Sequence, residues 1–513
     1  MALVLDCTFR DGGYYTNWDF EESLVTQYFQ AISRAAVDTL EIGYVGNATG
    51  EYLGKFYYLT PEDCTFYKSQ VRADQKICVM INLKEFKPSE IAERFTPYVG
   101  KVDIVRMAVP PSQVKEANEI ATELRKFGFL VGLNLMYLST YFDKAASVLG
   151  DVDQSLYYCV SLVDSYGGCF PNQVKTAVAQ AKSLLSIPVG FHGHNNVELA
   201  FANALASIEA GVDYLDSTIT GMGRGAGNLK TEMIVSYLEA AGKGQSSDLS
   251  SLGALVERFE AMQKVFGWGS NLPYIISGLN SLPQKDVMDW LGKARYSTSA
   301  IVAALRSASS EQFIDQTEYP SLPSDRADKP VLIVGGGQSV QAHAQAIQRM
   351  AAKTGATVVH SSLKNLAALG QVQGMCLACL PGHEVEKAPE VVGDNTAFIV
   401  QAAPRFKGTL PSELSGRVYQ TTLFNQGQDK KLGPVSDAGP LALALSAARD
   451  LGSKSIYLVG FDGYANATRS QQELANETQR LLDEYVGKLG TTKLVSLTPT
   501  AYNLPTDSVY RYI

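Results

Sequence analysis

Two histidines one residue apart, His192 and His194 in Pro188-Val-Gly-Phe-His-Gly-His-Asn195, close an apolar run with the composition of a β-strand. Alternate side chains of a strand share a face, so both imidazoles would project together, near enough to hold one divalent ion. A third ligand comes from a second apolar run, Ala2 to Phe9. It leads into Arg10-Asp11-Gly12-Gly13 and sets a guanidinium and a carboxylate at a strand's end. Alone, a His-x-His pair fits two polar residues ending a strand as well as it fits a metal. The surrounding pattern favours the metal: Arg10 and Asp11, the acid Glu41, and a glycine-rich turn ending in Asn228 all fall where separate strands should stop.

Those stops recur because, from Ala2 to about Gly223, short β-branched or aromatic runs alternate with longer helical segments, the pattern of parallel βαβ units. The runs are Ala2 to Phe9, Thr39 to Val45, Lys76 to Asn82, Asp103 to Val109, Leu130 to Leu138, Tyr157 to Tyr166, Pro188 to His194 and Tyr214 to Gly221. Eight parallel strands predict an α/β fold closed into a (β/α)8 TIM barrel, whose active sites lie at the C-terminal ends of the strands. Arg10, Asp11, Glu41, Ser165, His192, His194 and Asn228 would then converge in space. A helical stretch from about Leu249 to Ala304 is expected to pack over the barrel and complete a first domain of residues 1–305.

Residues 306–329, rich in Ser, Asp, Glu and Pro, have the composition of a linker. A Rossmann-like α/β domain is expected over residues 330–513, opening with the strand and glycine turn of Pro330-Val-Leu-Ile-Val-Gly-Gly-Gly-Gln-Ser-Val340 and a helix through about Ala352. Amides at a helix N-terminus attract anions and glycine admits close approach, which places Gly335, Gly337 and Ser339 to bind a nucleotide. The full Gly-x-Gly-x-x-Gly spacing is missing. Further strands are read at Thr357 to His360, Gly374 to Ala378, Ala397 to Val400 and within Lys454 to Gly463, with Asp462 just past the last.

Composition narrows the function class. Charged residues make up 19% and hydrophobic residues 46%, and the net charge of −8 carries no basic block, which argues against a nucleic-acid partner. No apolar run approaches the roughly 20 residues that span a bilayer, and no secretory leader precedes the first strand, so a cytoplasmic protein without membrane contact is expected. Seven scattered cysteines fit a reducing compartment. Cys376 and Cys379 form a Cys-x-x-Cys that could serve redox chemistry or half a zinc site, but no second pair follows and the stretch reads as a buried strand.

Together, Leu5-Asp-Cys-Thr-Phe-Arg-Asp-Gly-Gly13, Leu40-Glu-Ile-Gly43, Gly190-Phe-His-Gly-His-Asn195 and Gly221-Met-Gly-Arg-Gly-Ala-Gly-Asn-Leu-Lys-Thr-Glu232 resemble the HMGL-like DRE-TIM metallolyase superfamily. The resemblance covers roughly the first 290 residues and is strongest to the 4-hydroxy-2-oxovalerate and pyruvate aldolases. It implies that Asp11, His192 and His194 ligate Mn²⁺ or Mg²⁺, with Co²⁺ or Zn²⁺ as alternatives. It also implies that Asn228 adds a further ligand, that Arg10 stabilises an enolate, that Glu41 supports them, and that Ser165 contacts pyruvate. Two departures stand out. Where the aldolases carry a histidine after Arg-Asp-Gly, this chain has Tyr14-Tyr15, so Tyr14 or Tyr15 is expected to substitute as acid or base; the alternative is a metal-bound water as proton shuttle, with both tyrosines packing or binding substrate. The glycine-rich loop also lacks the cysteine of the acyl-CoA lyases. In the second domain, Leu332-Ile-Val-Gly-Gly-Gly-Gln-Ser-Val340 and the run from Gly439 to Asp462 faintly resemble pterin pyrophosphokinase-like and sialyltransferase-like domains, with Gln338 where those carry proline.

The chemistry agrees with the resemblance. Making or breaking a carbon–carbon bond beside a keto acid passes through an enolate, and a divalent ion on two neutral imidazoles and one carboxylate keeps positive charge for it. The expectation is a metal-dependent aldolase making or breaking the bond between a 2-oxo acid such as pyruvate and an aldehyde, for instance a sugar-derived one used in surface polysaccharide synthesis, with a nucleotide or nucleotide-sugar bound by the second domain. A homodimer is expected from the habit of barrel enzymes. The alternatives are an acyl-CoA-dependent 2-oxo acid synthase and a non-catalytic, nucleotide-sensing scaffold.

Overall fold

β1 (Leu3–Asp6), β2 (Thr39–Tyr44), β3 (Lys76–Asn82), β4 (Ile104–Val109), β5 (Leu130–Leu135), β6 (Cys159–Asp164), β7 (Val189–Gly193) and β8 (Tyr214–Ser217) pair in chain order into a closed parallel barrel, β8 returning to β1. The computed structural model describes residues 2–50, 52–292, 298–309, 314–323, 326–380, 396–406, 417–425, 439–465, 467–488, 490 and 492–513. All eight strands expected from the sequence are there, several of them shorter at the C-terminal end.

β1 is the informative case, because it stops at Asp6 although the apolar run continues to Phe9. The Asp6 carboxylate accepts the Thr8 amide at 2.9 Å, a local turn that competes with strand pairing, and the chain coils into a one-turn helix, Thr8–Asp11. Phe9 turns away into an aromatic cluster with Phe20, Tyr28 and Phe56, ring centroids 4.8, 4.4 and 4.5 Å away. Arg10 and Asp11 therefore stand on a helical turn above the barrel and not at the end of a strand. Ser165 likewise follows β6 in a turn, and His194 lies just beyond β7.

The barrel interior is packed with a polar layer. Glu41 of β2, Arg106 of β4, Asn134 of β5, Ser161 of β6 and Asp216 of β8 are all buried and bond to one another around Arg106. Two glycines make room in this layer, one for Arg106 and one for Ser161. A Cβ at Gly132, opposite Arg106 in the β4–β5 register, would lie 2.7 Å from the Arg106 Cγ, and one at Gly190 would lie 2.3 Å from the Ser161 Oγ.

The chain divides into two compact units, Met1–Val287 and Met288–Ile513. The division falls within the helix Gln284–Gly292, earlier than the 306–329 segment read as a linker, of which 310–313 and 324–325 lie outside the described residues. The second unit holds β9 (Ile314–Asp315), β10 (Val331–Val334), β11 (Thr357–His360), β12 (Cys376–Cys379), β13 (Thr396–Gln401), β14 (Arg405–Phe406), β15 (Val418–Thr421), β16 (Ser455–Val459) and β17 (Lys493–Ser496). Seven form one parallel sheet in the order β15-β13-β12-β11-β10-β16-β17; β9 and β14 pair separately and antiparallel. The order reverses between β10 and β16, the crevice where doubly wound sheets take ligands. β15 and β17 were not anticipated, being short and partly polar. The helix expected through Ala352 is broken into Ser339–Ala342 and Ala344–Thr354. Cys376 and Cys379 are buried thiols three positions apart on β12, so they face opposite sides of the sheet and cannot act as a pair.

Gly132→Ala should push the Arg106 stem off its partners. Urea unfolding followed by tryptophan fluorescence is expected to give a loss of about 1–3 kcal/mol, as for other overpacked interiors.

Candidate metal centre

Ligand atoms of Asp11, His192 and His194 all lie within 4.8 Å of one another, and all three residues are buried. Each imidazole is oriented from behind. His194 Nδ1 lies 2.9 Å from the Asp164 carbonyl, which can only accept, so Nδ1 carries the proton and Nε2 presents a lone pair. His192 Nδ1 donates to Asp216 Oδ2 at 3.0 Å, which leaves its Nε2 facing Asp11 Oδ2 at 3.6 Å. His194 Nε2 lies 3.8 Å from the same oxygen, too far for a hydrogen bond, and has no hydrogen-bond partner among the described residues. Asn228 donates its side-chain amide to Asp11 Oδ2, and its own Oδ1 is buried without a partner.

An orphaned ring nitrogen and an orphaned amide oxygen, both beside a buried carboxylate, are what a cation-binding site looks like in protein atoms alone. Charge points the same way. With His192 neutral, as a metal ligand must be, the connected groups are the carboxylates Asp11, Glu41 and Asp216 and the guanidiniums Arg10 and Arg106, so one negative charge is in excess. The donor set of one carboxylate, two imidazoles and an amide oxygen suits a divalent ion of borderline hardness.

Burial pushes the Asp216 carboxyl up, but Arg106 at 2.5 Å and His192 outweigh it and hold the group at about 2. Burial likewise opposes ionisation of Asp11, and Arg10 with the two histidines carries it well below the usual carboxylate range. Burial alone would lower His192, yet the flanking Asp11 and Asp216 raise it above 6.5. His194, with burial and His192 both against its charged form, falls to about 3.

Arg10 links this centre to the rest of the site. Its Nε donates to Glu41 Oε2 at 2.7 Å and its Nη1 to Asp11 Oδ1 at 2.6 Å, while Trp18 donates its indole N–H to the Arg10 carbonyl at 2.8 Å. Arg10, Asp11, Tyr14, Ser165, His192 and His194 all line one cavity of about 290 Å³. Glu41 stands behind Arg10 and Asn228 behind Asp11. The Ser165 hydroxyl is the acceptor for the Tyr137 amide at 2.9 Å, which holds Tyr137 in a left-handed conformation, φ 65°, at the cavity wall. The two tyrosines after Gly13 separate: Tyr14 lines the cavity, whereas the Tyr15 hydroxyl donates to the Gly225 carbonyl at 2.6 Å and braces the glycine-rich loop.

Arg106 and Asp216 escaped the sequence reading. The available signal was a lone guanidinium in the apolar run Ile104-Val-Arg-Met-Ala-Val109, and an acid in Tyr214-Leu-Asp-Ser217, positions that must be paired if buried. In the second unit Gly335, Gly337, Ser339 and Asp462 do meet, at the reversal between β10 and β16. There Asp462 accepts the Ser339 amide at 2.9 Å and the Ser339 hydroxyl, and a Cβ on Gly337 would lie 2.6 Å from its carboxylate.

A family model described as HMGL-like matches residues 2–258. The 4-hydroxy-2-oxovalerate aldolase of Carboxydothermus hydrogenoformans is 29% identical over 264 residues, 50% of this chain and 76% of that protein. The oxaloacetate decarboxylase of Mycobacterium tuberculosis is 27% identical over 258 residues, 49% and 74% respectively. Among solved structures, the N-terminal domain of a candidate aldolase from Bacteroides vulgatus is 38% identical with a TM-score of 0.55, covering 59% of this chain and 99% of that domain.

Titrating the protein with Mn²⁺ by calorimetry should give tight binding near pH 8 that weakens as pH falls. His192 is raised above 6.5, so protons begin to compete above that pH, and below it affinity should drop about tenfold per unit. His194→Ala removes the orphaned donor and should weaken binding by at least about 100-fold, beyond the loss typical of a group behind a ligand. Unchanged affinity in that variant would remove the metal assignment.

Proposed function

The chain belongs to the HMGL-like family, and from that premise we propose that its barrel is a divalent-metal-dependent aldolase, making or breaking a carbon–carbon bond through the enolate of a 2-oxo acid, pyruvate in the simplest case. The observation that carries this reading is the Asp11, His192 and His194 triangle facing the same cavity as Arg10. Asp11, His192 and His194 would hold the ion, with Asn228 Oδ1 as a further donor. Bound there, Mn²⁺ or Mg²⁺ supplies Lewis acidity toward the keto and carboxylate oxygens of the substrate.

The chain's own residues account for the rest. Arg10 has Nε and one Nη1 proton committed to Glu41 and Asp11, which fixes its plane and leaves the other donors for an enolate oxygen. Because Glu41 is held by both Arg10 and Arg106, that plane is set from inside the barrel before substrate arrives. Tyr14, the tyrosine on the cavity, is the proposed proton carrier to the oxygen formed on the aldehyde. Tyr15 is excluded from that role by its bond to the loop. Ser165 shapes the carboxylate end by holding Tyr137. Loss of CO₂ from a 2-oxo diacid would generate the same enolate, which accommodates the oxaloacetate decarboxylase named among the relatives.

For the second unit we propose a nucleotide or nucleotide-sugar ligand in the β10–β16 crevice, supported by the strand order and by the convergence of Gly335, Gly337, Ser339 and Asp462. The faint likeness to pterin pyrophosphokinase-like and sialyltransferase-like domains is part of the same proposal. Since Asp462 already occupies the Ser339 amide, a phosphate would compete with the carboxylate. Asp462→Asn is therefore expected to tighten binding of a probe such as CTP in equilibrium dialysis, and no binding by either form would remove the ligand from this crevice.

Incubation with Mn²⁺ and pyruvate in D₂O should exchange the methyl protons, read as loss of the methyl signal by proton NMR. Arg10→Ala is expected to slow exchange by about 100–1,000-fold, the cost of one lost oxyanion donor. Exchange at the wild-type rate in the variant would take Arg10 out of the mechanism.

A further inference from the structure

The cavity contains a cation that the metal centre does not use. Arg224, in Gly221-Met-Gly-Arg-Gly-Ala-Gly-Asn228, lines the cavity with Asp11, His192 and His194. Its Nε is buried and has no acceptor among the described residues. One Nη2 contact reaches the Ser165 carbonyl at 3.3 Å, and the guanidinium lies 5.7 Å from the centroid of the Tyr14 ring. Among the described residues no carboxylate comes within ion-pair distance of it. The contrast with Arg10 and Arg106 is complete, since each of those is paired to two carboxylates. A partly buried guanidinium with an empty donor is costly unless something supplies the acceptor.

Charge bookkeeping says what that something is. The connected carboxylates exceed the guanidiniums by one, a divalent ion turns that excess positive by one, and the carboxylate of a 2-oxo acid cancels it. Arg224 is left over, and Lys84, also on the cavity wall, carries no ion pair among the described residues. A volume of about 290 Å³ exceeds what pyruvate's few heavy atoms need, leaving room for a second molecule beside it. Asn82, Asn134 and Gln113 add polar groups to a wall that also carries Met80, Leu83, Met136 and Val163, so polar and apolar parts of a larger aldehyde both find partners there.

We infer that Arg224 is a specificity-determining residue that binds an anionic group, phosphate or carboxylate, on the aldehyde partner. This rests on the aldolase reading and narrows it: the electrophile is a charged aldehyde. Planar, forked donors suit either anion, and the position beside Tyr14 puts the anion near the residue proposed to protonate the new alkoxide.

The test compares aldehydes that differ by the charged group, with pyruvate and Mn²⁺: glyceraldehyde 3-phosphate against glyceraldehyde, and succinic semialdehyde against butanal. Wild type is expected to favour one charged member by about 100-fold or more in kcat/KM, and the larger ratio identifies phosphate or carboxylate. Arg224→Met should erase the ratio and Arg224→Lys should keep part of it; a ratio is insensitive to a general loss of folded protein. A second readout needs no turnover. Glycerol 3-phosphate and butyrate are titrated separately by calorimetry into the full chain without added metal, and the one that wild type prefers should bind Arg224→Met at least about 10-fold more weakly. Absence of charge preference in wild type, or a preference that survives Arg224→Met, overturns the inference. If wild type fails to exchange pyruvate protons, the aldolase reading falls, and the calorimetry still decides Arg224: equal binding by wild type and Arg224→Met overturns its role.

Discussion

A chain of buried charges runs through the barrel, and the site depends on it. Asp11, Arg10, Glu41, Arg106, Asp216 and His192 form an unbroken series of ion pairs and hydrogen bonds from the top of β1, across the interior, to the ring that faces the metal position. Removing an ion from water costs several kcal/mol, so none of these groups is tolerable alone, and each fixes its neighbours because no other geometry satisfies it. The series orients the guanidinium plane of Arg10 and the tautomer of His192 from the side away from substrate.

That constraint explains features of the fold that would otherwise look arbitrary. Gly132 and Gly190 empty a part of the interior that a barrel normally fills with branched side chains, because Arg106 and Ser161 fill it instead. The bend after Asp6 sacrifices strand pairing so that Arg10 and Asp11 can reach over the barrel mouth, where a continuous strand would send alternate side chains to opposite faces. Trp18, itself in a left-handed conformation, holds the Arg10 carbonyl from the far side.

The site thereby separates two kinds of cation. Arg10 and Arg106 are consumed by internal carboxylates and act through position. Arg224, on a loop between glycines and braced by Tyr15 beneath Gly225, retains unspent donors. A rigid interior that fixes the reacting groups beneath a loop that carries selectivity is the usual division of labour in barrels, since loops can change without disturbing strand packing.

The sequence alone determined the barrel and the pairing of His192 with His194 in the candidate metal triangle, because both rest on short-range regularities: alternation of strand and helix patterns, and His-x-His placing two rings on one face. It also marked Asn228, Ser165 and Tyr14 as belonging to the site. What only the tertiary structure decided were relations between distant segments. The separation of Tyr14, on the cavity, from Tyr15 depends on the Gly225 carbonyl, some two hundred positions away. The pairing of Arg106 with Glu41 and Asp216 joins three strands. The self-capping of the Ser339 turn by Asp462 joins two more. Local pattern reports which face a residue presents; it carries no information on which partner waits there, and buried charge is decided entirely by the partner.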